Sequence, residues 1–162
     1  DLHLLSRRQR QMCIRDRFVA NTDVASGSQI TPLKIQKLLY YAQAWYLAIY
    51  NEPLMDTEFE AWAHGPVVPE VYHGLSDFKY NPVSISAEYF SDAEEVSCEQ
   101  EVDLLQQIMD IYGIYDGKYL EKLTHQEDPW IQTRGDLPPE ARCNEVISRE
   151  VMKDFYRNMQ GE

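Results

Sequence analysis

Apolar residues recur at helical spacing along most of the chain, and the clearest run begins after Thr31. Thr is a good N-cap, and Pro32 suits the first helical position, where no backbone donor is needed. Ile35, Leu38, Leu39, Ala42, Trp45, Tyr46 and Ile49 then form one stripe, while Lys34, Lys37 and Gln43 fall mostly away from it. This predicts a core helix with a solvated polar face, stopped by Asn51 and Pro53. Phe59, Ala61 and Ala63 alternate with Glu60, Trp62 and His64, as in a short strand. Gly65-Pro66 reads as a turn, Val67-Val68 as a second short strand, and Pro69 as the start of a short helix reaching Leu75. Residues 77–91 read as a loop, with Asn81-Pro82 as breaker and a short extended piece at 83–85.

A second long helix is expected over 92–112, capped by Asp92, with Glu94 and Glu95 favoured at its positive end. Val102, Leu105, Met109 and Tyr112 recur at 3, 4, 3 spacing, and Leu104, Ile108 and Ile111 widen that face. Asp116 opens a further helix ending at His125, and Glu127-Asp128-Pro129-Trp130 breaks it. Residues 133–144 read as an irregular loop containing Pro138-Pro139. Ser148 caps a last helix with Val151, Met152, Phe155 and Tyr156 on its apolar side. Trp45 and Trp130 are expected in one core with Leu105 and Phe155. The fold class is mainly α: a compact single-domain helical fold with a small β-hairpin element.

Residues 1–17 stand apart. They hold five Arg and two Asp without a hydrophobic period, and the run RRQRQMCIRDR resembles translated sequencing-adapter text. They are therefore set outside the domain, which is taken as residues 18–162, and a chain starting at Phe18 is expected to fold as well as the whole. Residues 18–25 read as a helix end whose native start lay upstream, and 26–29 as a turn.

With 162 residues, 44% of them apolar, the chain suits one domain with a real core. Without the first seventeen residues, ten basic residues face 25 acidic ones, a net charge of −15. Such a balance disfavours nucleic acid, whose affinity comes from Lys and Arg on phosphates, and favours steered association with a basic protein. Cys13, Cys98 and Cys143 form neither a CxxC nor a zinc spacing. No run of 18 apolar residues suggests a membrane span, so a cytoplasmic protein is expected.

Chemistry is sparse. His125 near Glu127 and Asp128 invites an acid–base reading, but there is no nucleophile elbow and no phosphate loop. The structural alternative has the His125 ring bonding the last carbonyls of its helix while Trp130 plugs the core. His64, His73 and His125 lack metal-ligand spacing. No catalytic residue, cofactor or metal is assigned. Trp62, His64, Gly65, Pro66, Pro69 and Tyr72 read as a rigid turn and ridge, either shaping the core junction or contacting a partner. Lys34 and Lys37 read as a solvated face or a partner contact.

Three blocks, ITPLKIQKLLYYAQAWYLAIYNEPL, FEAWAHGPVVPEVYHGL and LTHQEDPW, resemble in order and spacing the signature blocks of the Panacea domain, which includes SocA-like and phage-associated GepA-like proteins. Thr31, Pro32, Trp45, His125, Pro129 and Trp130 are its structural motif positions here. The resemblance implies a helical domain with a small β element. It also implies an antitoxin that neutralises a cognate toxin, encoded nearby, by direct binding. A proteolysis adaptor delivering a bound toxin to a protease is the alternative. The DNA-binding or zinc-finger extensions of some members are not seen. An enzyme centred on His125 and a DNA-binding regulator are the competing classes.

Overall fold

The computed structural model describes residues 2–20, 30–79, 81–83 and 98–161, with side chains from residue 10 onward. Among these residues seven α-helices accompany one two-stranded antiparallel sheet. In chain order they are α1 (Leu2–Ala20), α2 (Pro32–Tyr50), β1 (Glu60–Trp62), β2 (Gly65–Val67), α3 (Pro69–Gly74), α4 (Glu99–Tyr112), α5 (Gly117–Thr124), α6 (Asp128–Arg134) and α7 (Arg149–Gln160). A 3₁₀ turn, Ser76–Phe78, follows α3.

Helix α2 begins and ends as the sequence dictates. Lys34 N donates to Thr31 Oγ1 at 3.2 Å, and Asn51 takes the left-handed conformation (φ 59°) that ends helices. The helix is not amphipathic in place. α1, α4, α5, α7 and β2 all pack on it, so nearly its whole circumference is enclosed. The polar face expected to meet solvent is therefore buried: Lys34, Gln36, Lys37 and Gln43 are each 4% exposed or less.

Those buried polar groups are satisfied by backbone. Gln43 Nε2 donates to Met55 O and Gln43 Oε1 accepts from Met55 N, both at 2.9 Å. Gln36 grips Val68 in the same two-sided way, at 3.2 and 2.9 Å. Lys34 Nζ reaches Gly113 O at 2.6 Å, and Lys37 Nζ reaches Pro66 O at 2.9 Å. An unpaired buried polar group is costly, so each tie fixes the loop or strand that supplies its partner.

Several boundaries differ from the sequence reading. The hairpin turns at Ala63-His64, and Gly65 and Pro66 are already in β2, opposite Trp62 and Ala61. Gly65 has φ 94°, and a Cβ there would sit 2.7 Å from Thr124 Oγ1. Its role is thus a backbone angle and a close approach rather than the turn itself. The segment around Asp128-Pro129 does not only end a helix. It starts α6, with Pro129 in the first turn, where its missing N–H costs nothing. α4 begins at Glu99 with Cys98 as its N-cap residue. The turn expected at 26–29, the extended piece beyond 83 and the caps at Asp92 to Glu95 lie outside the described residues. Asp116 and Ser148 cap α5 and α7 as expected, accepting from Tyr119 N and Val151 N.

The core gathers Leu38, Leu39, Phe59, Leu105, Leu120, Trp130 and Tyr156, with Trp45 and Phe155 partly buried against it. β1 is extended on its outer edge by the chain before α7, through Ala61 N to Glu145 O at 2.9 Å and Ile147 N to Phe59 O at 2.8 Å. Residues 10–17, set apart by composition, are helical and bury Cys13 and Ile14, while Phe18 follows in the same helix with no exposure. The helical period there is carried by few apolar positions among many charges, which hid it.

Two outcomes check this architecture. Gln43→Ala strands both Met55 backbone groups and is expected to cost roughly 2–5 kcal/mol, read as a lower urea midpoint at unchanged slope. Ile14→Ala is expected to cost about 2–5 kcal/mol. An unchanged midpoint would show that α1 contributes nothing to the core.

Candidate functional site

The hairpin, the start of α2 and α3 with its 3₁₀ turn enclose an open groove of about 310 Å³. Its floor is Leu33, Val67 and Leu75, and its walls carry Trp62 and Tyr72. Gln36 and Lys37 hold the hairpin from below through Val68 and Pro66, so the groove has a rigid base. Trp62 and Tyr72 meet edge to face with ring centroids 4.9 Å apart. Tyr72 is 47% exposed, a large value for an aromatic residue in contact with another. The Trp62 indole donates to Glu60 Oε1 at 3.1 Å, and the Trp62 carbonyl accepts from Trp130 Nε1 at 2.8 Å.

A polar layer runs from the groove lining inward. His64 Nδ1 is 3.3 Å from Glu121 Oε1, and Lys118 Nζ is 3.5 Å from Glu121 Oε2. The His125 ring stacks on Trp130 with centroids 4.1 Å apart, and the Arg134 guanidinium lies 4.9 Å from the centroid of the Trp130 ring. His125 bonds the backbone of Ala63 rather than the carbonyls of its own helix, and its Nε2 is buried without a hydrogen bond. Burial pushes its pKa below the usual imidazole value, opposed by Glu121. Arg134 ties Ala61 O, Pro138 O and Ala141 O, which anchors the loop after α6.

Deeper still, Glu127 Oε1 accepts from Tyr41 OH at 2.7 Å and Tyr156 OH at 2.9 Å. Burial raises the Glu127 carboxyl from 4.5 to about 7, against the pull of these two hydroxyls toward the ionised form. Burial likewise lowers Lys37 from 10.5 to about 7, partly offset by Glu121. Among the described residues no three His, Cys, Asp or Glu side chains converge to hold a metal ion, and no helix is long and apolar enough to cross a membrane.

Of the expected site residues, the structure brings Trp62, His64 and Tyr72 to one groove. Pro69 is partly exposed at the start of α3, whereas Gly65 and Pro66 are buried beneath the hairpin. Lys37 has no exposure and Lys34 has 4%, so neither offers a surface contact; α2 is enclosed, and their ammonium groups serve backbone carbonyls instead. Sequence reasoning missed Leu33, Leu75, Lys79 and Lys118, which the fold alone gathers. It also missed Tyr41, for which the adjacent Tyr40-Tyr41 inside an apolar helix was the available signal, and it read Glu127 only as a carboxylate near His125, not as the buried partner of Tyr41 and Tyr156.

Residues 35–131, more than half of the chain, match the family described as Antitoxin SocA-like, Panacea domain. The chain belongs to that family. A curated relative, Antitoxin SocA of Caulobacter vibrioides (strain NA1000 / CB15N), is 47% identical over 47 residues, covering 29% of this chain and 25% of the relative. The aligned region thus spans about a quarter of that relative's length. No solved structure matches. The matched stretch of this Panacea domain includes α2 from its first turn, the hairpin, α3 and the first half of α6, which together hold the groove wall and the buried Glu127.

Two buried ionisable groups of the Panacea domain, Glu127 and Lys37, give opposite pH slopes. The native state holds the Glu127 proton between pH 4.5 and about 7, so stability falls as pH rises through that window, by on the order of 3 kcal/mol in total. Lys37 is neutral in the native state but charged in the unfolded chain between about 7 and 10.5, so stability rises with pH there. Glu127→Gln is expected to abolish the acid-side fall and Lys37→Met the alkaline-side rise in urea titrations against pH. Unchanged slopes would mean that both groups titrate as they do in solution.

Proposed function

We propose that this Panacea domain is an antitoxin-like protein-binding module that neutralises a toxin by covering it, without catalysis. The observation that carries the reading is the Trp62–Tyr72 pair, with Tyr72 exposed and Trp62 partly buried, in a preformed groove on the family's hairpin motif. Trp and Tyr are the residues most enriched where interfaces concentrate their energy, because they bury large area at little entropic loss. The groove base is tied to the central helix, so little ordering is needed on binding. His125 is committed to stacking on Trp130, which leaves it a packing role. Membership in a family described as antitoxin-like supports the partner class. The partner would be encoded by an adjacent gene and met in the cytoplasm.

The test is growth rescue paired with co-purification. The neighbouring reading frame is expected to arrest growth alone and to be harmless and co-purified with this chain. Trp62→Ala combined with Tyr72→Ala is expected to weaken the complex by roughly 30-fold or more, at ~2 kcal/mol for an anchor residue, with the melting temperature kept. A harmless neighbour would overturn the antitoxin reading. Rescue without a stable complex, lost when a host protease is deleted, would instead assign a proteolysis adaptor.

A further inference from the structure

Resting on the protein-binding reading above, we propose that the groove takes an acidic segment of the partner. An apolar side chain of that segment enters between Leu33, Trp62, Tyr72 and Leu75, and its carboxylates meet Lys79 and Lys118.

The charge of the lining is the first argument. The chain carries 27 acidic and 15 basic residues, yet the groove is lined by two Lys and one His with no Asp or Glu. A basic segment would find no carboxylate on those walls. The second argument is the state of the cations. Among the described residues Lys79 is exposed, and its ammonium has no partner. Lys118 has 68% of its side chain exposed and makes one long contact, at 3.5 Å, to a carboxylate that it shares with His64. An ammonium has three donors, so most of the donor capacity at this rim is unused. Glu121 itself is only 13% exposed and is tied to Lys118 and His64, and it is not among the residues that line the groove.

The third argument is the apolar half of the groove. Val67 and Leu75 are each 3% exposed and make a closed floor, while Tyr72 stands up from it. Such a wall accepts one aliphatic or aromatic side chain, and the flanking cations then fix the direction of the segment. The wider acidic surface repels the same segment elsewhere, which confines it to this groove.

A random dodecapeptide library displayed on phage, selected on the whole protein and counter-selected on the Trp62→Ala/Tyr72→Ala variant, tests the assignment. Groove-dependent clones are expected to pair a large apolar residue with Asp or Glu. Lys79→Glu combined with Lys118→Glu is expected to weaken the selected peptides roughly tenfold, with the thermal midpoint unchanged. Enrichment of basic or uncharged peptides, or no groove-dependent clones, overturns the inference. So does indifference to the double charge reversal. Growth rescue reports separately: rescue without acidic groove peptides sinks this inference alone, and acidic groove peptides without rescue sink only the antitoxin reading.

Discussion

A helix enclosed on nearly every side can carry polar side chains only if the fold supplies partners for each of them. That constraint governs this protein. α2 brings two Lys and two Gln into the interior, and every one meets a main-chain group on another segment. The two Gln residues use both ends of the amide, so each matches one donor and one acceptor on a single residue, Val68 or Met55. The connections that carry Met55 and Val68 are thereby fixed in position. Loss of one side chain leaves two main-chain groups buried and unmet, a larger penalty than the bond itself is worth.

The tyrosines extend the same logic. Tyr40, Tyr41 and Tyr156 are buried with rings meeting edge to face, and Tyr156 OH reaches both Tyr40 OH and Glu127. Glu127 is the residue just before α6, so its carboxyl joins α2, α6 and α7 at one point. Burial opposes its ionisation and the hydroxyls favour it, and burial wins. Lys37, one turn before Tyr41 on α2, is pushed toward its neutral form for the same reason. A fold that buries ionisable groups of both kinds has opposite pH slopes on either side of neutrality, so neither extreme of pH alone describes its stability.

The groove depends on this interior. Its walls come from segments far apart in the chain, and their spacing is set by Gln36 and Lys37 from beneath. Gly65 is needed because Thr124 and Lys37 approach its backbone too closely for a Cβ, which brings the hairpin down against α2 and α5. The Trp62–Tyr72 pair is thus presented on a rigid support. Rigid anchors lose little freedom on binding, which suits a surface that must cover a partner.

Local signals were enough for the elements that end on their own chemistry. Thr31 with Pro32, Asp116 and Ser148 each place a side-chain acceptor before a helix, and all three caps form. Alternation over 59–64 was enough for a strand, and the three motif blocks for the family. Tertiary structure decided whatever depended on neighbours. Lys34 and Lys37 read as solvated because a helix's polar residues normally face water; only the packing of six other elements around α2 turns them inward. The hairpin turn fell two residues earlier than Gly65-Pro66 because Gly65 answers a contact with Thr124 that no local pattern contains. Pro129 both ends one helix and suits the first turn of the next, so the segment after Glu127 was ambiguous until α6 docked on α7 and β1. Lys79 and Lys118 lie 39 positions apart and share a groove only because the fold closes it. Sequence periodicity reports one element against a generic inside and outside; which side is inside is a property of the whole assembly.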